Sequence, residues 1–166
     1  NKRIEWLLVD ICESLIVIAS FVLGWLYQLN NKYIVGLNDV LSDRLKYIAQ
    51  TMSTYNIKLW GQYIEEHGNG GSIIAKDNYF FIDNSFVRCM YEYGAIVFAL
   101  VIVLIFMAQK KMLDNEKYIM CLAFFIVTIA SFAEHHLLEI AYNPFIFSVF
   151  ACMSNNDKGI EEKRIC

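Results

Sequence analysis

Two apolar runs with a long polar stretch between them, residues 30–93, constrain this chain more than any other feature. Residues 15–29 are interrupted only by Ser20 and Gln28, and residues 94–108 carry no polar side chain. Apolar segments of about 20 residues with few charges read as membrane helices, because backbone groups in hydrocarbon must be satisfied within their own helix. A connection as long as 30–93 is uncommon as a mere link. It also gathers Arg, Asp, Asn, Ser and His near membrane depth, so any chemistry is expected there.

Of the 166 residues, 57% are hydrophobic and 15% aromatic, whereas a soluble domain averages about 45–50% apolar. The excess falls in blocks. The expectation is therefore an all-α integral membrane protein: a single membrane domain over residues 1–166, with about four transmembrane helices and one long extracytoplasmic loop, 30–93, containing an amphipathic helix. The net charge of −3 implies no general affinity for nucleic acid. Five cysteines, Cys12, Cys89, Cys121, Cys152 and Cys166, form no CxxC pair and do not make a disulfide framework. There is no initiator Met and no cleavable signal sequence, and Asn1-Lys2-Arg3 runs straight into an apolar segment. The chain is thus expected to be a piece of a longer protein, or the product of a truncated gene.

The expected spans are residues 6–29, 86–109, 118–133 and 140–153, the last containing Asn143-Pro144. Proline inside an apolar run removes a backbone donor and kinks or breaks a helix. Within the loop, Leu41, Leu45, Ile48, Met52 and Tyr55 recur at spacings of three and four. That spacing predicts an amphipathic helix over 39–56, with Asn38 or Asp39 as its N-cap. His67-Gly68-Asn69-Gly70-Gly71 is a breaker. Lys2 and Arg3, the turn with Lys110, Lys111 and Lys117, and the tail with Lys158, Lys163 and Arg164 share one side of a four-span layout. The excess of positive charge in short segments makes that side cytoplasmic and puts the long loop outside. The loop and the Glu134-His135-His136 corner then face the same, outer side.

Each candidate site residue has a plainer alternative. Arg44 offers a rigid fork of donors that suits phosphate oxygens; otherwise it is a solvated Arg beside Asp43. Asp83-Asn84-Ser85 precedes the second span, where such residues first of all cap a helix. Arg88 and Glu92 stand at i, i+4, and ionisable groups at that depth pair or line a polar cavity. His67 lies beside a glycine-rich turn and is otherwise simply exposed. His135 and Glu139 are one helical turn apart, next to Glu134 and His136, but no HExxH pattern or suitably spaced Cys accompanies them. No metal and no cofactor are therefore expected, and the corner reads as a polar rim for a charged substrate or a bland interfacial turn. Tyr79, Phe80, Phe81, Tyr91 and Tyr93 read mainly as an interfacial belt, with stacking on sugar rings as a second use. No phosphate-loop, dinucleotide-binding or nucleophile-elbow motif occurs.

Gly36-Leu-Asn-Asp-Val-Leu-Ser-Asp-Arg44-Leu, Leu59-Trp-Gly-Gln62, Ile82-Asp-Asn-Ser-Phe-Val-Arg-Cys-Met-Tyr-Glu-Tyr-Gly94 and His135-His-Leu-Leu-Glu-Ile-Ala-Tyr-Asn-Pro-Phe145 occur in that order. In this order and layout the chain resembles the C-terminal part of bacterial polysaccharide polymerases, the O-antigen polymerase/ligase family. The resemblance implies a metal-independent, inverting glycosyltransferase of the GT-C type. Such an enzyme polymerises undecaprenyl-diphosphate-linked oligosaccharide repeat units into exopolysaccharide, capsule or O-antigen at the outer membrane face. It implies membrane lipid, a flippase and a chain-length regulator as partners. Arg44 matches the family's Ser/Thr-x-Arg position for the diphosphate, and Arg88 is a second candidate. Many members carry His before the Asn of the second motif, where this chain has Asp83. The general base is thus Asp83, His67 or His135, with Asn84, Ser85, Glu92 and His136 toward the substrate. A ligase acting on another acceptor, a non-catalytic membrane component and an inactive remnant are the alternatives.

Overall fold

The computed structural model describes residues 2–67, 79–139 and 141–150. Among these residues the chain is mostly helical and has no strand beyond one isolated bridge, His67 with Phe80. The elements run α1 (Lys2–Gln28), α2 (Lys32–Val40), α3 (Arg44–Thr54), α4 (Ser85–Arg88), a π-helical turn (Cys89–Tyr93), α5 (Ala95–Asp114) and α6 (Tyr118–Ala130). Two 3-10 helices follow, His136–Leu138 and Pro144–Val149.

Among the described residues, two helices are long and apolar enough to cross a membrane: α1 over Trp6–Gln28 and α5 over Ala95–Asp114. α1 is unbroken by Pro, and its serines bond back along the helix, Ser14 Oγ to the Asp10 carbonyl at 2.7 Å and Ser20 Oγ to the Ile16 carbonyl at 3.2 Å. Its outward side is apolar, and its inward side carries Glu13 and Ser20 among apolar residues. Leu7, Leu8, Ile11, Leu15, Ile18, Val22 and Trp25 are exposed, while Glu13 and Ser20 are buried. The buried side packs on α5 and α6, where Gln109 Nε2 donates to Glu13 Oε1 at 2.7 Å and Cys121 Sγ to Gln109 Oε1 at 2.9 Å. Around this network lies one core, including Phe86, Val101, Ile105, Met112 and Phe124.

A second core lies under the loop and contains Leu45, Ile48, Ile64, Phe80, Ile82, Val87 and Tyr91. Phe21 of α1 packs against both cores. α3 seats on α1 at Gly24, where an added Cβ would lie 2.3 Å from Ile48 Cγ2. Gln28 Nε2 also donates to the Ala49 carbonyl at 2.8 Å.

Several expected boundaries are corrected. The single loop helix over 39–56 is two helices, broken where Ser42 (φ 53°) and Asp43 (φ 66°) turn left-handed. Asn38 is not the first residue's cap. Buried in the corner, it donates to Asp43 Oδ1 at 2.8 Å and accepts from Lys46 N at 3.0 Å, so it caps α3 from a distance. The span over 86–109 breaks at Gly94 (φ 97°). There residues 58–62 run against 92–96, with Gln62 N bonded to the Glu92 carbonyl at 2.9 Å and Ala95 N to the Lys58 carbonyl at 3.0 Å. The third expected span stops at Ala130. Within 140–153, the described residues hold only the 3-10 helix that Pro144 opens. Gly68 to Gly71, the tail over 157–164, Cys152 and Cys166 lie outside the described residues; Cys12, Cys89 and Cys121 are free thiols.

Candidate functional site

Three distant segments meet at Arg44. The corner at Ser42-Asp43 places it in the first turn of α3. Its Nη2 lies 2.8 Å from Glu134 Oε1 and its Nε 3.6 Å from Asp83 Oδ2. It does not pair with neighbouring Asp43, whose carboxylate is engaged by Asn38. Burial raises the Asp83 carboxyl above the usual range, Arg44 offsets part of that, and the nearby Glu134 carboxylate adds to it. The rings of Tyr47 and Tyr79 pack at a tilt beside this group, their centroids 5.3 Å apart. Burial raises both hydroxyls, and the Asp83 charge raises them further.

Arg88 is held on every side. Its Nη2 lies 2.6 Å from Glu66 Oε1, its Nη1 3.1 Å from Glu92 Oε2, and its Nε donates to the Ile82 carbonyl at 3.0 Å. The guanidinium carbon sits 4.8 Å from the Phe81 ring centroid. The expected Arg88–Glu92 pair thus forms, and Glu66 completes it while also accepting from Ile82 N at 2.9 Å. Nothing in the sequence distinguishes Glu66 from Glu65; only the chain's path brings it under Arg88.

Asp83-Asn84-Ser85 divides its roles. Asn84, not Asp83, is the cap of α4: its Oδ1 accepts from Phe86 N at 3.0 Å and Val87 N at 2.9 Å. Its Nδ2 donates to Ser20 Oγ at 3.0 Å and to the Phe132 carbonyl at 2.7 Å. All four hydrogen-bonding positions of the buried carboxamide are therefore occupied within the protein. Ser85 Oγ donates to the Glu134 carbonyl and accepts from Leu137 N at 3.2 Å. Asn84 and Ser85 thus fasten the 131–137 corner to α1 and α4, and leave Asp83 turned toward Arg44.

At that corner the rings of His135 and His136 lie 4.2 Å apart. His135 Nε2 is 3.3 Å and His136 Nδ1 3.2 Å from Glu139 Oε1. His136 stacks on Tyr142 at 4.0 Å, and Phe81 meets His135 edge-on at 5.1 Å, so Phe81 links the imidazole to Arg88. Burial, with the charges of His136 and Arg88, lowers the proton affinity of His135. A cavity of about 140 Å³ touches Arg88, Ser85, His135 and Glu139, and another of about 190 Å³ touches Glu134, His136 and Tyr142.

Arg44, Asp83, Arg88, Glu92, His135 and His136, which the sequence singled out, thus fall into contiguous charged groups. His67 stands apart: half-exposed, with its Nε2 3.7 Å from Glu65 and its backbone paired to Phe80. The grouping of Glu134, His135 and His136, with ligand-type atoms all within 4.8 Å of one another, is tighter than their spacing suggested. No family model, curated protein or solved structure matches the chain.

Proposed function

We propose that this chain is the C-terminal part of a multi-pass membrane glycosyltransferase that polymerises lipid-linked oligosaccharide repeat units at the outer face of a bacterial membrane. The observation that carries the reading is the meeting of Arg44, Asp83 and Glu134, on three segments, beside the ends of apolar helices. In this reading α1, α5 and α6 lie in the membrane, and α3 is the amphipathic helix of the loop. The exposed apolar side of α1 and its buried Glu13 support a lipid surround, since ionisable groups in a membrane turn toward the protein interior.

The chemistry follows from charge. Breaking the bond to a diphosphate leaving group builds negative charge on its oxygens. A preorganised guanidinium stabilises that charge most as the bond breaks. Arg44 supplies a planar fork, one-third exposed and held by carboxylates that would yield to a diphosphate. The acceptor hydroxyl loses its proton to Asp83, whose raised proton affinity suits a general base better than an ordinary carboxylate does. The new glycosidic bond forms with inversion, and undecaprenyl diphosphate departs.

A second reading, a membrane component without catalysis, has one observation in its favour. Both guanidiniums already have carboxylate partners, as they would in a purely structural network. Complementation separates the two. The complete gene, wild type or Arg44→Ala, is expressed in a strain lacking its own glycan polymerase, and lipid-linked glycan is run on a gel. A long ladder from wild type and single repeat units from the variant, at equal membrane abundance, supports the polymerase. Equal ladders remove Arg44 from the mechanism. Arg44→Lys should fail nearly as badly as Arg44→Ala, because the lysine keeps the charge and loses the fork.

A further inference from the structure

We propose that His135 and His136, with the carboxylates of Glu139 and Glu134, bind one divalent transition-metal ion of the zinc class. The inference stands apart from the glycan reading, which needs no metal.

The geometry argues first. Glu134, His135 and His136 can each bring a ligand atom within 4.8 Å of the other two. Glu139 Oε1 lies 3.3 Å from His135 Nε2 and 3.2 Å from His136 Nδ1. Zinc–nitrogen and zinc–oxygen bonds of about 2.0–2.2 Å at tetrahedral angles put neighbouring ligand atoms about 3.3–3.5 Å apart. The two separations to Glu139 are close to those edges, and Glu134 comes within 4.8 Å of both imidazoles. The contact to His136 Nδ1 is near enough for a hydrogen bond but lacks the alignment of one, since that nitrogen has no hydrogen-bond partner.

Nδ1 of His136, the nitrogen 3.2 Å from Glu139 Oε1, is buried without a hydrogen-bond partner. A buried polar atom left unpaired is costly, and such atoms in a native fold call for a reason. A metal that takes a lone pair supplies one. The ligand set, two imidazoles and two carboxylates, suits zinc and its neighbours rather than calcium or magnesium, which prefer oxygen throughout.

The surroundings are those of a supported site. Tyr142 stacks on His136 and Phe81 abuts His135, which fixes both rings. Ser85 pins the backbone at Glu134 and Leu137, and Asn143 Nδ2 holds the Leu137 carbonyl at 2.8 Å. Such outer contacts orient metal ligands. The 190 Å³ cavity beside Glu134 and His136 gives an entry path and room for bound water. Glu134 is also the partner of Arg44, so occupancy of the site draws on the carboxylate that now holds that guanidinium.

The test uses the full chain, carrying a histidine-free tag, purified in detergent and stripped with a chelator. Cobalt(II) is titrated in and visible absorbance is followed. The expected result is saturation at one cobalt per chain, with the strong bands of tetrahedral coordination, displaced by one equivalent of zinc. His136→Ala should weaken binding by at least about 100-fold, Glu139→Gln by about 10-fold or more, and His67→Ala not at all. Circular dichroism checks that each variant is folded. If His136→Ala does not fold, the isosteric Glu139→Gln carries the test alone. Three results would overturn the proposal: no saturable binding by wild type, undiminished affinity in the folded variants, or the near-ultraviolet charge-transfer bands of cysteine ligation.

Discussion

At the scale of single residues, the two arginines separate by how much freedom the fold leaves them. Arg88 is 12% exposed, with three donors engaged and an aromatic face beneath it, whereas Arg44 is 31% exposed and bridges two carboxylates. Removing one partner of a buried charge cluster leaves the others uncompensated. Arg88→Ala should therefore lower stability by about 3–5 kcal/mol. Arg44→Ala should cost less than about 1 kcal/mol while lowering turnover about 100-fold or more. Thermal unfolding in detergent and a ladder assay on the same preparations check the split. Asn84→Ala removes a cap and orphans buried partners, so a loss of about 2–3 kcal/mol is expected in the same unfolding measurement. Asp83 titrates in the opposite sense to a paired surface carboxylate. Its folded value is raised above 3.8, so its contribution to stability is complete below pH 3.8 and is lost as pH rises through the folded value. Unfolding midpoints of Asp83→Asn should accordingly fall less steeply than those of wild type as pH rises across that window. The acidic limb of turnover should vanish with the activity itself.

At the scale of elements, the glycines set where helices meet. Gly24 faces the side chain of Ile48, and an added methyl group would press on Cγ2 and on Met52 Sδ at 3.0 Å. Gly24→Ala should lift α3, and with it Arg44, away from α1. Because the obstruction is a side chain, Ile48→Ala introduced with it should recover part of the loss in a double-mutant cycle read by unfolding midpoints. Gly94 offers no such relief. A Cβ there would lie 2.3 Å from Gly61 N and 2.5 Å from the Leu59 carbonyl, on a residue whose φ is +97°. Gly94→Ala should cost more than about 2 kcal/mol and resist rescue by any side-chain change, since backbone blocks backbone. Failure of that contact would also free the 58–62 segment from Glu92 and loosen Arg88.

For the whole molecule, the decisive pattern is that the outward side of α1 is apolar while its ionisable Glu13 and its Ser20 are buried among apolar residues. α5 and α6 present Leu100, Val103 and Met107, and Ile119, Leu122 and Ile126, to the outside. An apolar face this extensive is covered by lipid or by protein. In intact cells, a membrane-impermeant thiol reagent should label Tyr63→Cys, on the loop, and should not label Leu100→Cys, on the middle of α5. Labelling of Leu100→Cys, or protection of Tyr63→Cys from outside, would overturn the orientation proposed for the loop.

Apolar length and spacing alone determined the helical character of the chain, the extent of α1, the presence of an apolar helix after the loop, and the short list of charged residues worth watching. These are local properties: a run of apolar residues without Pro satisfies its own backbone, and an i, i+4 pair such as Arg88 and Glu92 meets on its own turn. The corner at Ser42-Asp43 was not legible, because it depends on a buried Asn38 that reaches across to Lys46. Nor was the break at Gly94, which exists because Gly61 arrives against it. The cap of α4 could have been any of three adjacent residues until Ser20 and Phe132 took up the Asn84 amide and left Asp83 to Arg44. The partners of both arginines, and the closeness of Glu134 to His135 and His136, were decided only in three dimensions. A guanidinium or an imidazole takes whichever carboxylate the packed chain brings within reach, and a separation of 90 residues leaves no mark on a local pattern.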